Sequence, residues 1–388
     1  MKVRGRVLVL AVSMPIIAFA VIGGFMSKAI AREDSYQYLR IFEDVVSLIL
    51  NNYVEAVDVD KVMHGAMHGL ADGLDPDSAY LDVNQVKVLD KGDLGGSAQT
   101  GLEITRQYYL RVIAARDGSP AAKAGLMPGD YIRAIDGQST RDVTVYEGAR
   151  LLRGRPGTKV HLTVIRGNAA EPHEMDIVRE DLPAIAVKSR IAAPGIGYLR
   201  VAEFGKITAE QIKSEIASVT KAGAKSVIID LRGTAFGEVE AGLAAARLFV
   251  KSGVLVYRQD RGKDKEAVSA APADGAITVN TVLLTDNGTS NGAEVFAAAL
   301  SGNKRAALIG ERTLGRAARQ KLVRLPDGSG LMLTHMIYMT PASVAIHEKG
   351  LVPDVAVEQP DVDFGQPPAA KDATLDKAVE SLTVKAAA

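Results

Sequence analysis

Apolar positions along this chain change their period several times. Across residues 38–81 they recur at helical spacing: Leu39, Ile41, Val45, Val46, Leu48 and Ile49 line one side, and a second helical run covers residues 62–74. Across residues 95–167 the period shortens to strands broken by glycine-rich turns, with one amphipathic helix near residues 146–152. A proline-containing connector then covers residues 171–183. Beyond it, residues 197–201 and 226–231 predict strands, each leading into a helix, and residues 278–285 predict another, with an alanine-rich helix after it. Such alternation implies an α/β core with a mostly parallel sheet. After about Gln359 the chain is rich in Pro, Ala and Lys, with one short helical stretch at residues 375–382.

The N-terminus has its own pattern. Lys2, Arg4 and Arg6 precede an apolar run from Val7 to Met26, and Ala29-Ile30-Ala31 lies just beyond. A basic region, an apolar stretch and an A-x-A end form an export signal. The run of about 20 residues is also long enough to span a bilayer uncleaved. Residues 1–31 are therefore a signal peptide or an inner-membrane anchor, and the chain from Arg32 onward is expected to be periplasmic or extracytoplasmic. The expected organisation is a helical region over 32–95, a small β-domain over 96–168, an α/β core over 169–360 and a tail over 361–388.

Composition narrows the chemistry. The 388 residues carry 46 Lys plus Arg against 46 Asp plus Glu, so nothing points to nucleic acid. The absence of cysteine removes disulfides, thiol nucleophiles and thiolate metal sites. His64 and His68 stand at i and i+4, but no Glu lies between them as in H-E-x-x-H and no third ligand is evident. No metal or cofactor is expected.

The small β-domain carries TGLEI, then SPAAKAGLMPGDYIRAIDG, then LLRGRPGTKVHLTVIR. Together these resemble a PDZ domain. Thr100, Gly101 and Leu102 form a turn whose amides can receive a C-terminal carboxylate. A bound tail would add as a strand beside Leu102, Glu103 and Ile104, its side chains facing a helix with Leu151. Replacing Gly101 by a β-branched residue is expected to cripple binding and spare the fold.

Around this segment NNYVEAVDVDKV, LDPDSAYLD, IDLRG, GERTLGR and KGLVPDV occur in the order seen in carboxyl-terminal processing, or tail-specific, serine peptidases. The chain resembles that family over roughly residues 38–357. The resemblance implies a crotonase-like α/β core with an inserted PDZ domain, export, frequent dimerisation and a Ser-Lys catalytic pair. The family nucleophile stands three residues after a Gly and three before a Glu. Gly288 and Glu294 mark those ends here, and Asn291 lies between them. The family's base lysine comes 25 residues later, at Arg316, and its motif ends in a glutamine, Gln320. Where the family has a glycine that supplies an oxyanion-hole amide, this sequence has Phe236.

A carboxamide is a poor nucleophile, and loss of the nucleophile in serine peptidases costs about 10⁶ in rate. An arginine cannot serve as a proton acceptor near neutral pH. A side chain at Phe236 intrudes where close backbone approach is needed. Asn291 is expected to cap the next helix, with Glu294 completing a capping box. Arg316 is expected to face a carboxylate, Glu294 or Glu311. These features predict a pseudopeptidase that binds the C-terminal tails of exported proteins, as a homodimer or beside an active relative. The alternative is an active serine-type endopeptidase, with neighbouring Ser290 as its nucleophile.

Overall fold

The computed structural model describes residues 36–167, 171–360, 362–366 and 371–387. The apolar N-terminal run lies outside the described residues. Among those described, no helix is long and apolar enough to cross a membrane. The chain divides into two units, one ending at Gly69 and the other running from Leu70 to Ala388. The described part of the first is helical: residues 36–52 form a helix, and the helix Val59–Asp72 begins in it. Tyr38, Leu39, Ile41 and Leu48 of that first helix are exposed.

The second unit is built around a six-stranded sheet. Its order is Val355–Ala356, Ala306–Gly310, Asn280–Thr285, Ser226–Asp230, Ile196–Arg200, Lys188–Ala193. All neighbours pair in parallel except the last two, which form an antiparallel edge. Val227, Ile228 and Ile229 are all buried, as expected of a central strand covered on both faces. One face packs on the helices Thr208–Lys221, Val239–Arg247 and Gly292–Gly302, through Ile212, Ile216, Leu243 and Phe296. The other face carries the C-terminal helix Ala373–Ala387, whose Ala378 and Leu382 sit on Ile196, Ile228, Val282 and Ile309. The stretch expected to be a tail with a short helix is thus an integral layer of the core.

A second, antiparallel sheet was not foreseen in the sequence. It joins Ala79–Leu81, Ala318–Arg324, Gly330–Met339, Val254–Asp260 and Glu266–Ser269. In it Ala79–Leu81 and Ala318–Arg324 flank the strand Gly330–Met339 on its two sides, so residues near position 80 and the segment after Arg316 share one sheet.

The small β-domain has the sheet order Leu102–Gln107, Tyr109–Ala115, Tyr131–Ile135, Lys159–Ile165, His173–Val178. The last strand lies inside the stretch that reads as a connector. Only Met175 and Ile177 alternate inward there, a weak signal typical of an edge strand. The strand Leu102–Gln107 forms the opposite edge and faces the helix Val145–Leu151. A Cβ at Gly148 would fall 2.4 Å from Leu110 Cδ1 and 3.0 Å from Ile104 Cδ1, so a larger residue there would push those side-chain ends aside.

Candidate functional site

The site forms where the strand Asn280–Thr285 ends and the helix Gly292–Gly302 begins. Asp286 organises the turn between them: one carboxylate oxygen accepts from the amides of Gly233 and Gly288 and from the Thr289 hydroxyl, at 2.8, 3.0 and 3.0 Å. Burial raises the Asp286 pKa against those bonds. Asn291 stands at the corner itself, with φ 53° and ψ −122°. This left-handed backbone is strained for a side-chain-bearing residue and is the kind of sharp turn that exposes a nucleophile. Close backbone packing enforces it. A Cβ on Gly292 would sit 2.5 Å from the Glu238 carbonyl oxygen, and one on Gly242 would overlap the Gly292 carbonyl.

The Asn291 side chain makes no cap, contrary to the sequence expectation. Capping needs an extended φ/ψ at that residue, and the corner denies it. The carboxamide instead donates to the Ala235 carbonyl at 3.0 Å. The Asn291 amide favours the charged form of Glu294. Glu294 is wholly buried and accepts from Thr313 Oγ1, Gly315 N and Arg316 N at 2.5, 2.6 and 2.7 Å. Burial pushes its pKa up to about 7, although each of these donors favours the carboxylate.

Arg316 holds to neither expected carboxylate by its guanidinium. Glu294 takes only its backbone amide, and a Glu311 carboxylate oxygen accepts from the Gln359 amide. The guanidinium turns to Asp77, with Nε 2.9 Å from Oδ2 and Nη2 2.8 Å from Oδ1, and to Glu103, with Nη1 2.8 Å from Oε1. Nη1 also donates to the Ile104 carbonyl at 3.2 Å. Burial disfavours the charge, but Asp77 and Glu103 outweigh it and raise the Arg316 pKa above its already high ordinary value. Burial raises the Glu103 pKa, with Arg316 pulling the other way. Tyr146, on the helix Val145–Leu151, leans its hydroxyl toward the Asp77 carbonyl at 3.4 Å. Burial and the Asp77 charge push its phenol well above the ordinary value.

The other expected site residues divide. Gln320 lies in the strand Ala318–Arg324 and donates to Thr334 Oγ1 at 3.3 Å, within its own sheet. Phe236 pairs in parallel with Glu203 and packs with Ile113, Ala114 and Leu314, joining the small β-domain to the core. Thr100 is buried, and its carbonyl accepts from Ala121 N. Leu102, Ile104 and Leu151 share one apolar cluster. Gly101 has φ +82°, and a Cβ there would strike the Ser119 side chain. A β-branched substitution at Gly101 therefore disturbs the domain itself, not binding alone. Ser290 is 1% exposed, and its hydroxyl has no hydrogen-bond partner.

Sequence reasoning missed Asp77. It sits in LDPDSAYLD, where Asp75 Oδ1 accepts the amides of Asp77 and Ser78 at 2.9 Å each, a local turn that aims its side chain inward. The demand of a buried arginine for acidic partners was the one available signal.

Two family models match. The description "Peptidase family S41" covers residues 195–357, and a PDZ domain covers residues 111–166. The carboxy-terminal processing protease of Bartonella bacilliformis is 30% identical over 363 residues, spanning 89% of this chain and 83% of that protein. This chain belongs to the carboxy-terminal processing protease family. Within that family, the protease CtpA of Bacillus subtilis is 33% identical over 315 residues, 81% of this chain and 67% of that one. Among solved structures, a photosystem II D1 C-terminal processing protease superposes with a TM-score of 0.68 at 28% identity, covering 80% of this chain and 85% of that one. The architecture is thus that of an S41 peptidase core carrying a PDZ domain.

Proposed function

We propose that this family member is a pseudopeptidase: an exported module that captures protein C-terminal tails through its PDZ domain without cutting them. One observation carries the proposal. The strained corner presents a carboxamide bonded to the Ala235 carbonyl, while the base position holds an arginine between Asp77 and Glu103. The carboxamide cannot attack a carbonyl, and the arginine cannot take up a proton. The turn around Gly101, the receiving strand and the helix with Leu151 keep the groove in which a tail adds as a strand. The basic and apolar N-terminal sequence supports export, with partners among exported proteins. A homodimer or a mixed assembly with an active relative suits a non-cutting member.

The names of the relatives favour a second reading, an active serine endopeptidase acting on tails. It requires Ser290, which is buried and has no base beside its hydroxyl. A fluorophosphonate probe and a fluorogenic tail peptide separate the readings. The pseudopeptidase neither labels nor cleaves, and labelling that disappears in Ser290→Ala overturns it. Calorimetric titration tests the tail site directly: a peptide with a free carboxylate and an apolar last residue binds near micromolar, about −8 kcal/mol. Its C-terminal amide binds several-fold more weakly.

A further inference from the structure

The strand Leu102–Gln107 is the open edge of the PDZ sheet. Gly101 directs its carbonyl to the neighbouring strand, accepting from Arg116 N at 2.8 Å. Backbone groups alternate in direction along a strand, so Leu102, Ile104 and Arg106 direct theirs to the open side. The irregularity in this pairing places the extra residue, Ile113, on the partner strand, and the alternation on the receiving strand is unbroken. The Ile104 carbonyl is therefore one that an added tail strand would use, at the residue third from its end. It is already taken by Arg316 Nη1.

Three further contacts anchor that occupant. Glu103 points to the opposite face from Leu102 and Ile104, and meets the same Nη1 at 2.8 Å. Asp77 grips the other two nitrogens. Across the groove, Tyr146 leans on the Asp77 carbonyl and Glu147 accepts from Gln85 Nε2 at 2.7 Å. Both walls of the groove, strand and helix, are thereby fastened to the segment that flanks the peptidase core.

We infer that Arg316 is an internal competitor for the tail groove: it holds the Ile104 carbonyl and fastens the receiving strand to the core, and a tail binds by displacing it. This rests on the tail-binding reading above. Position 316 has exchanged proton transfer for control of access. A lysine, as a single point charge, could not span two carboxylates and a carbonyl with a planar fork of donors.

The test uses the full chain and Arg316→Gln, with Glu103→Gln/Arg316→Gln as a second form that removes one of the acids left without its partner. Two measurements are made: hydrogen exchange of residues 100–107 without peptide, and calorimetric titration of a ten-residue tail with a free carboxylate and an apolar last residue. Exchange of that segment accelerates and tail affinity rises about tenfold, the worth of one charge-assisted hydrogen bond no longer contested. Accelerated exchange with no tail binding in any form leaves the latch standing and removes the tail-binding reading. Unchanged exchange and unchanged affinity in both folded variants overturn the latch and leave tail binding intact.

Discussion

Glu294 and Arg316 meet backbone to side chain: the Arg316 amide donates to Glu294 Oε2 at 2.7 Å, while its guanidinium reaches away to Asp77 and Glu103. One buried carboxyl thus sets where the arginine's main chain runs. Two acids from other parts of the chain set where its charge goes.

Stability should depend on the protonation of Glu294. Its native pKa of about 7 lies above the unfolded value of 4.5, so the folded state binds the extra proton between those limits. Stability from this group is complete below pH 4.5 and declines as pH rises through 7, by about 3 kcal/mol. Denaturant melts at pH 5 and pH 8 measure it. Glu294→Gln removes this pH dependence, at a cost of about 1–3 kcal/mol because an amide nitrogen replaces one of the two accepting oxygens and leaves either the Gly315 or the Arg316 amide without an acceptor. A Glu294→Gln protein with the same pH slope as the parent would show that another group is responsible.

Restoring the two family side chains should not restore cleavage. In Asn291→Ser the base is still missing. In Asn291→Ser/Arg316→Lys the new lysine sits between Asp77 and Glu103, which hold its proton. Turnover of a fluorogenic tail peptide stays at background for both. Cleavage by the double variant would mean that the lysine escapes those carboxylates.

Gly242→Ala should be among the most damaging single-methyl additions. Its Cβ overlaps the Gly292 carbonyl, and both neighbours are backbone that cannot swing aside. Overpacking of this kind costs about 1–3 kcal/mol, and thermal melting reads it as a drop of several degrees. At Gly118, where a Cβ meets nothing within 4 Å although φ is +72°, alanine costs only the backbone strain of about 1 kcal/mol.

Leu382→Ala tests whether the C-terminal helix belongs to the cooperative core. Leu382 is 1% exposed against the sheet. Truncation should cost about 2–4 kcal/mol. A change below roughly 0.5 kcal/mol, the range of ordinary surface substitutions, would mark the helix as an independent appendage.

Much of the α/β core was legible because its central strands are continuous apolar runs and its helices keep a 3.6 period. The second sheet was not, because strands such as Gly330–Met339 alternate too weakly to distinguish themselves from loop or helix. The corner at Asn291 was visible in its flanking Gly288 and Glu294, yet the fate of its side chain was not. Residue preference predicts a cap, and only the backbone angle shows that the carboxamide cannot reach. The partners of Arg316 lie 239 and 213 residues away, a distance over which no local pattern carries information.

The packing of Gly242 on Gly292 has a consequence for design. The corner's shape is imposed from behind, by main chain on main chain, and is indifferent to the side chain that position 291 carries. An engineer seeking catalysis need not rebuild a loop. The work lies in charge: a neutral amine has to be sheltered at 316 where two acids now demand a cation, so Asp77 and Glu103 are the residues to change first.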